Sequence, residues 1–146
     1  MGDSGVTGGH AVIMDLLRAT NEPVELTVSA DVSRLSIIRS VVERTLYLDD
    51  WTVDEVTDVK IAIDEICSQL MSATVPGGRL RVTISVGPEG SVAEAAGSVV
   101  PGFEIDTTGF GWRVVTTLSD AQTIASVDQR DHRDLTVVFG KSRIAG

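Results

Sequence analysis

Cysteine is almost missing from this chain of 146 residues: Cys67 stands alone, so no internal disulfide can form and a reducing compartment suits the protein best. Aromatic residues make up only 4%, and 12 basic residues face 21 acidic ones, for a formal charge of -9. That field repels a phosphate backbone, and no basic face interleaved with aromatics offsets it, so nucleic acid is not an expected partner. Long apolar runs are missing as well. None approaches the roughly 20 residues that cross a bilayer. Residues 11–17 form a short apolar run, broken by Asp15 and without the basic leader of a secretory signal. The expectation is therefore a cytoplasmic protein with no membrane partner. Acidic charge speeds encounter with basic proteins, and it serves equally well to keep a protein soluble.

What is present is enough to fold. Apolar residues make up 42%, close to the globular average. A chain of this length suits one domain and buries roughly 68–70% of its unfolded surface. Residues 1–21, with a glycine-rich patch from Gly5 to Gly9, read as a flexible tail or a loosely docked helix, and 22–146 as the domain. There is no internal repeat.

Residues 24–28 alternate apolar and polar as a half-buried strand does. Asp31 is an N-cap for a helix whose Leu35, Ile38, Val42 and Leu46 share one face and which ends at Asp49 and Asp50. Thr52 and Glu55 form a capping box for a second helix. Its apolar stripe runs through Val56, Val59, Ile63, Ile66, Leu70 and Ala73 until Pro76-Gly77-Gly78 stops it. Strands at 80–86 and 91–96 flank a hairpin turn at 87–90, and 97–108 reads as a loop. A third helix over 112–120 and strands at 122–127 and 135–139, separated by a charged turn, complete the chain. This order predicts an α+β fold: a two-layer sandwich with helices on one face of a mixed, mostly antiparallel sheet.

On the second helix Glu65 and Gln69 lie one turn apart beside the apolar stripe. A carboxylate and a carboxamide so placed either line a cleft or simply meet solvent. Asp64 and Glu65 point about 100° apart, which rules out a paired acid–base dyad. Cys67 falls toward the apolar side with no histidine near in sequence and reads as a small buried hydrophobe. His10 and His132 fall in predicted loops, Trp51 and Trp112 are core or interface anchors, and no metal-ligand cluster is visible.

The stretch IAIDEICSQL, Ile61 to Leu70, resembles a helix of the GHKL ATPase superfamily, specifically that of the RsbW-type anti-sigma factors that double as serine kinases. The similarity extends over most of 24–140. It includes the strand and Asp-capped helix with Arg39, the Thr-Gly-Phe-Gly stretch, and Leu118-Ser119-Asp120-Ala121 before a strand. The chain is similar in particular to the actinobacterial subgroup acting on stress or stationary-phase sigma factors, the anti-sigma-F factors. The resemblance implies a GHKL (Bergerat-like) fold, a sigma factor and an anti-anti-sigma (STAS) protein as partners, a homodimer, and ATP with magnesium as cofactors.

Residue by residue, the resemblance places Glu65 on the general-base glutamate and Gln69 on the asparagine that binds magnesium. It places Arg39 near the partner-binding surface, and Gly109 and Gly111 on a glycine box where backbone N–H groups meet a phosphate. Two departures follow. Gln69 is one methylene longer than the family's asparagine, and magnesium demands near-octahedral geometry at about 2.0–2.1 Å. The adenine-binding aspartate falls by register on Ala95 or Ala96, neither of which can accept; Asp106 substitutes only with one residue too many before Gly109 and Gly111. The expectation is an anti-sigma factor whose nucleotide binding is weak or lost. The alternative is an active serine/threonine kinase with Glu65 as base and magnesium held by Gln69 and water.

Overall fold

The computed structural model describes residues 3–4 and 9–143. Its elements run β1 (Asp3–Ser4), α1 (Gly9–Arg18), β2 (Val24–Ser29), a 3-10 turn (Val32–Arg34), α2 (Leu35–Leu48), α3 (Val53–Ala73), β3 (Arg79–Val86), β4 (Gly90–Val99), α4 (Phe110–Leu118), β5 (Ala121–Asp128) and β6 (Arg133–Ser142). The strands form one sheet in the order β1-β5-β6-β4-β3-β2. The α+β two-layer sandwich is as the sequence implies. The sheet is not mixed, however: every described ladder is antiparallel. The reason is local, since β3–β4 and β5–β6 are hairpins, which can only pair that way.

The main core lies between this sheet and α2, α3 and α4. The stripe read from the sequence is the one that is buried: Ile38, Val42 and Leu46 on α2, and Val56, Val59, Ile63, Ile66 and Leu70 on α3, are each at most 1% exposed. They meet Leu80, Val82 and Ile84 of β3, and Val137 and Phe139 of β6. Trp51 and Trp112 both belong to this core. Burying one such aliphatic or aromatic side chain contributes about 1.5–3 kcal/mol, so the stripe on α3 alone accounts for much of why that helix forms.

Element ends differ from the sequence reading. β4 continues to Val99, so the loop begins at Val100, not Gly97; α4 spans Phe110–Leu118, and β6 runs on to Ser142. His10 lies in α1 rather than in a loop.

The opposite face of the sheet is not bare. α1 crosses it, and Ile13 with Val92 and Ala121 forms a second, smaller cluster, joined by Leu16 and Val138. The seat is cut by glycine: a Cβ at Gly140 or Gly90 would collide with the Leu16 side chain. Removing those Cβ atoms lets the helix rest close to the strands, as an interior glycine in a strand often does. Among the described residues no helix is long and apolar enough to cross a membrane.

Candidate functional site

α3 is the element on which the candidate residues sit, and its start is sealed. Thr52 Oγ1 accepts from the Glu55 N–H at 3.2 Å, and Glu55 Oε1 accepts from the Thr52 N–H at 3.1 Å, completing the capping box. Arg143 reinforces this end. Its guanidinium lies 5.2 Å from the Trp51 ring centroid, donates to the carbonyls of Asp49 and Asp50 at 3.2 and 2.9 Å, and sits 3.7 Å from Glu55. Sequence reading missed Arg143 because it stops β6 at Phe139; an arginine just past the last strand carries no local signal of where it folds back.

Between about three and five turns along α3 the polar flank turns toward α4. Gln69 Oε1 accepts the backbone N–H of Asp106 at 3.1 Å, tying α3 to the 100–109 loop. Glu65 presses its carboxylate against Gly111 in the first turn of α4. A Cβ at Gly111 would run into Glu65 Oε2, with Gln69 Nε2 next nearest. The structure therefore brings Glu65, Gln69, Gly109 and Gly111 together, as the sequence reading places them. Glu65 and Gln69 are half-buried, packed against the 100–109 loop and the start of α4 rather than turned to solvent.

The loop itself is well anchored. Ile105 is buried in the main core and Phe103 packs against it. Arg133 donates to the Phe103 carbonyl at 3.0 Å, and the Val100 N–H reaches the Ala73 carbonyl at 2.8 Å. Asp106 caps the approach to α4 by accepting from the Thr108 hydroxyl at 2.9 Å and the Thr108 N–H at 3.0 Å. Those two bonds, and one from the Gly109 N–H, hold its carboxyl below the usual carboxylate range. Gly109, the N-cap of α4, offers no side chain to the helix start.

Ala95 and Ala96, the two positions where an adenine-binding aspartate would stand, separate across the sheet. Ala95 is fully buried in the main core and Ala96 belongs to the opposite face, alongside Thr136. A single residue of register reverses the face, so only Ala95 looks toward α3, and the core fills the space there.

On the far flank of α3, Arg39 of α2 pairs with Asp64 at 3.2 Å, and Lys60 with Glu43 at 2.7 Å. The facing atoms of the first pair, Arg39 Nε and Asp64 Oδ1, are buried and not aligned as a hydrogen bond. Burial pushes the Asp64 carboxyl above its ordinary value, against the opposing pull of Arg39 and Lys60. Cys67 lies beneath, its thiol pushed up to about 12 by burial and then by the Asp64 charge, which leaves it unreactive. Among the described residues no three histidine, cysteine, aspartate or glutamate side chains gather as a metal site.

No model of a known protein family matches the chain. Two curated relatives do: the proteins named anti-sigma-F factor RsbW from Mycobacterium tuberculosis, in strain CDC 1551 / Oshkosh and in strain ATCC 25618 / H37Rv. Each is 30% identical over 97 residues, which cover 66% of this chain and 58% of the relative. The chain thus matches little more than half the length of these relatives.

Proposed function

We propose, from the premise that the chain is a homologue of the RsbW-type anti-sigma factors over the matched stretch, that it binds an alternative sigma factor of the stress or stationary-phase type and withholds it from RNA polymerase. An anti-anti-sigma protein of the STAS type would reverse this by competing for the same surface. Arg39, half-exposed on α2, lies where the resemblance puts the partner-binding surface. The protein acts as a homodimer: β2 ends the sheet with its outer edge free among the described residues. Exposed Ile37 and Leu48 of α2 and Val24 of β2 supply apolar area for a second copy.

One observation carries the rest of the reading: the side chains that would serve ATP chemistry are engaged with the protein itself. Gln69 holds the Asp106 backbone, and Glu65 occupies the place at Gly111 where an anion would approach α4. Ala95 offers no acceptor and stands in filled core. These residues do not fit an adenine nucleotide with magnesium, which supports a degenerate site that binds ATP weakly or not at all. Sequestration needs a complementary surface and no chemistry, so it survives the loss.

Two measurements test this. Size-exclusion chromatography with the purified sigma factors of the source organism should yield a stable complex with one of them; failure with every one would sink the anti-sigma reading. Calorimetric titration with Mg-ATP should show no binding in the micromolar range, and low-micromolar affinity would overturn the degenerate site. A second reading keeps kinase activity, because Glu65 still faces the glycine-bearing start of α4. A phosphoserine formed on the STAS antagonist with Mg-ATP, and abolished by Glu65→Gln, would establish it.

A further inference from the structure

A cavity of about 290 Å³ lies beside α1, on the face of the sheet away from the main core. It is just below the roughly 300–1,000 Å³ typical of ligand pockets. One wall is helical. His10, Met14 and Leu17, spaced by four and three, follow one flank of α1, while Ile13 and Leu16 hold the helix to the sheet. Met14 is 40% and Leu17 37% exposed, so among the described residues nothing closes that wall.

The floor is formed by β3, β4, β5 and β6: Val92 and Val138 are apolar, and Thr83 and Thr123 bring hydroxyls. In the middle stands Glu94, directly across from Thr83 on one side and Val138 on the other. Among the described residues no ion pair or hydrogen bond engages the half-buried Glu94 carboxylate. Arg81, one pair further along β3 on the same face, is turned to Glu25 at 3.7 Å instead. An antiparallel sheet often leaves one face to water, and a lone glutamate there would be ordinary. Here it stands under an apolar wall, in a concavity.

A wall of Met14 and Leu17, with His10 at its end, faces a carboxylate unpaired among the described residues, and this selects a molecule with an apolar body and one positive end. A neutral ligand would cover Glu94 without giving it a partner, and an anionic one would add like-charge repulsion. We propose that this cleft binds a small cationic amphiphile, a short alkyl or aryl chain ending in a protonated amine. The chain lies against Met14, Leu17, Val92 and Val138; the ammonium sits on Glu94, and the Thr83 and Thr123 hydroxyls accept its remaining hydrogens. This site is independent of the α3–α4 contact and of any sigma factor, so its failure leaves the proposed function untouched.

The test is a titration of the full chain with n-octylamine, n-octanol and n-octanoate below their micellar concentrations, near neutral pH and at low salt, followed by backbone amide NMR shifts. Octylamine should bind about tenfold more tightly than octanol, the scale of one charge-assisted contact, with octanoate weakest. Shifts should gather on α1 and on the facing parts of β3 and β4. Glu94→Gln should erase the preference for amine over alcohol and leave octanol affinity unchanged. Met14→Ser should weaken all three, with an unchanged melting temperature to show that α1 remains docked. Equal binding of the three probes, no binding by any, or shifts gathered elsewhere would overturn the proposal.

Discussion

The two helices that meet at the candidate site begin in opposite ways. α3 starts with a side-chain cap supplied by its own first turn, Thr52 with Glu55, and Glu55 is only 6% exposed beneath Arg143. α4 starts at Gly109 with no side-chain cap of its own. Its approach is organised by Asp106, which Gln69 holds from 37 residues earlier in the chain, and by the Glu65 carboxylate against Gly111. Both helix starts carry unpaired N–H groups and a partial positive charge. One is completed within a single turn of sequence and behaves as part of the scaffold. The other has no side-chain cap of its own and is approached by the loop's Asp106, with Gln69 and Glu65 of a different helix alongside, at the place where the family resemblance puts a phosphate.

That contrast can be broken at either end. The largest effect is expected at α3. Glu55→Ala removes a buried cap acceptor and the anion beside Arg143, and should cost about 2–3 kcal/mol in denaturant unfolding. Thr52→Ala, which removes half of the box, should cost about 1 kcal/mol. A loss for Glu55→Ala no larger than that of an ordinary surface change would mean that α3 does not depend on its sealed start.

A smaller effect is expected at α4. Gln69→Ala removes one hydrogen bond between half-exposed partners and should cost about 0.5–1.5 kcal/mol. Its distinctive signature is faster amide hydrogen exchange at Asp106 and through the loop, with the first turn of α3 unchanged. If exchange at Asp106 stays slow, Gln69 is not what holds the loop.

The smallest effect concerns pH. The Asp106 carboxyl is held below its ordinary value, chiefly by the Thr108 hydroxyl and then by the Thr108 N–H. A depressed carboxyl contributes stability that is present above its unfolded value and lost as pH falls through the lower folded one. Thr108→Val should therefore move the Asp106 titration, read by carboxyl-carbon NMR, up toward the ordinary range. Near neutral pH the carboxyl stays ionised in both forms, and the lost hydrogen bond appears there as a small loss of stability. An unmoved titration would separate Asp106 from the capping of α4.

Much of the scaffold was legible because its signals are short-range. The stripe on α3, the Thr52–Glu55 box and the alternation over 24–28 each declare themselves within a few residues, and the structure places all of them as read. The site was legible in part. Glu65 and Gln69 could be put on one flank of a helix, and Gly109 with Gly111 at the start of another. The ion pair of Arg39 with Asp64 and the clamp of Arg143 were not visible, since neither residue type nor spacing says which distant group will lie opposite.

The seat of α1 shows the same limit. Gly90 and Gly140 look like ordinary strand residues until Leu16 is set above them, and only the folded sheet shows that their missing Cβ atoms admit a helix. By itself, then, the sequence determined the main helices and strands, the Thr52–Glu55 cap and the residues facing the main core. These follow from steric and hydrophobic periodicities that repeat every two to four residues. Asp31, read as the cap of α2, instead caps the 3-10 turn before it, and α2 starts at Arg34 without a side-chain cap. The tertiary structure alone decided that Gln69 would hold the loop at Asp106, that Ala95 would stand in filled core while Ala96 turned away, and that Glu94 would be left beside α1 without a partner among the described residues. Those outcomes depend on how whole elements dock across long separations in sequence, and no local pattern encodes that.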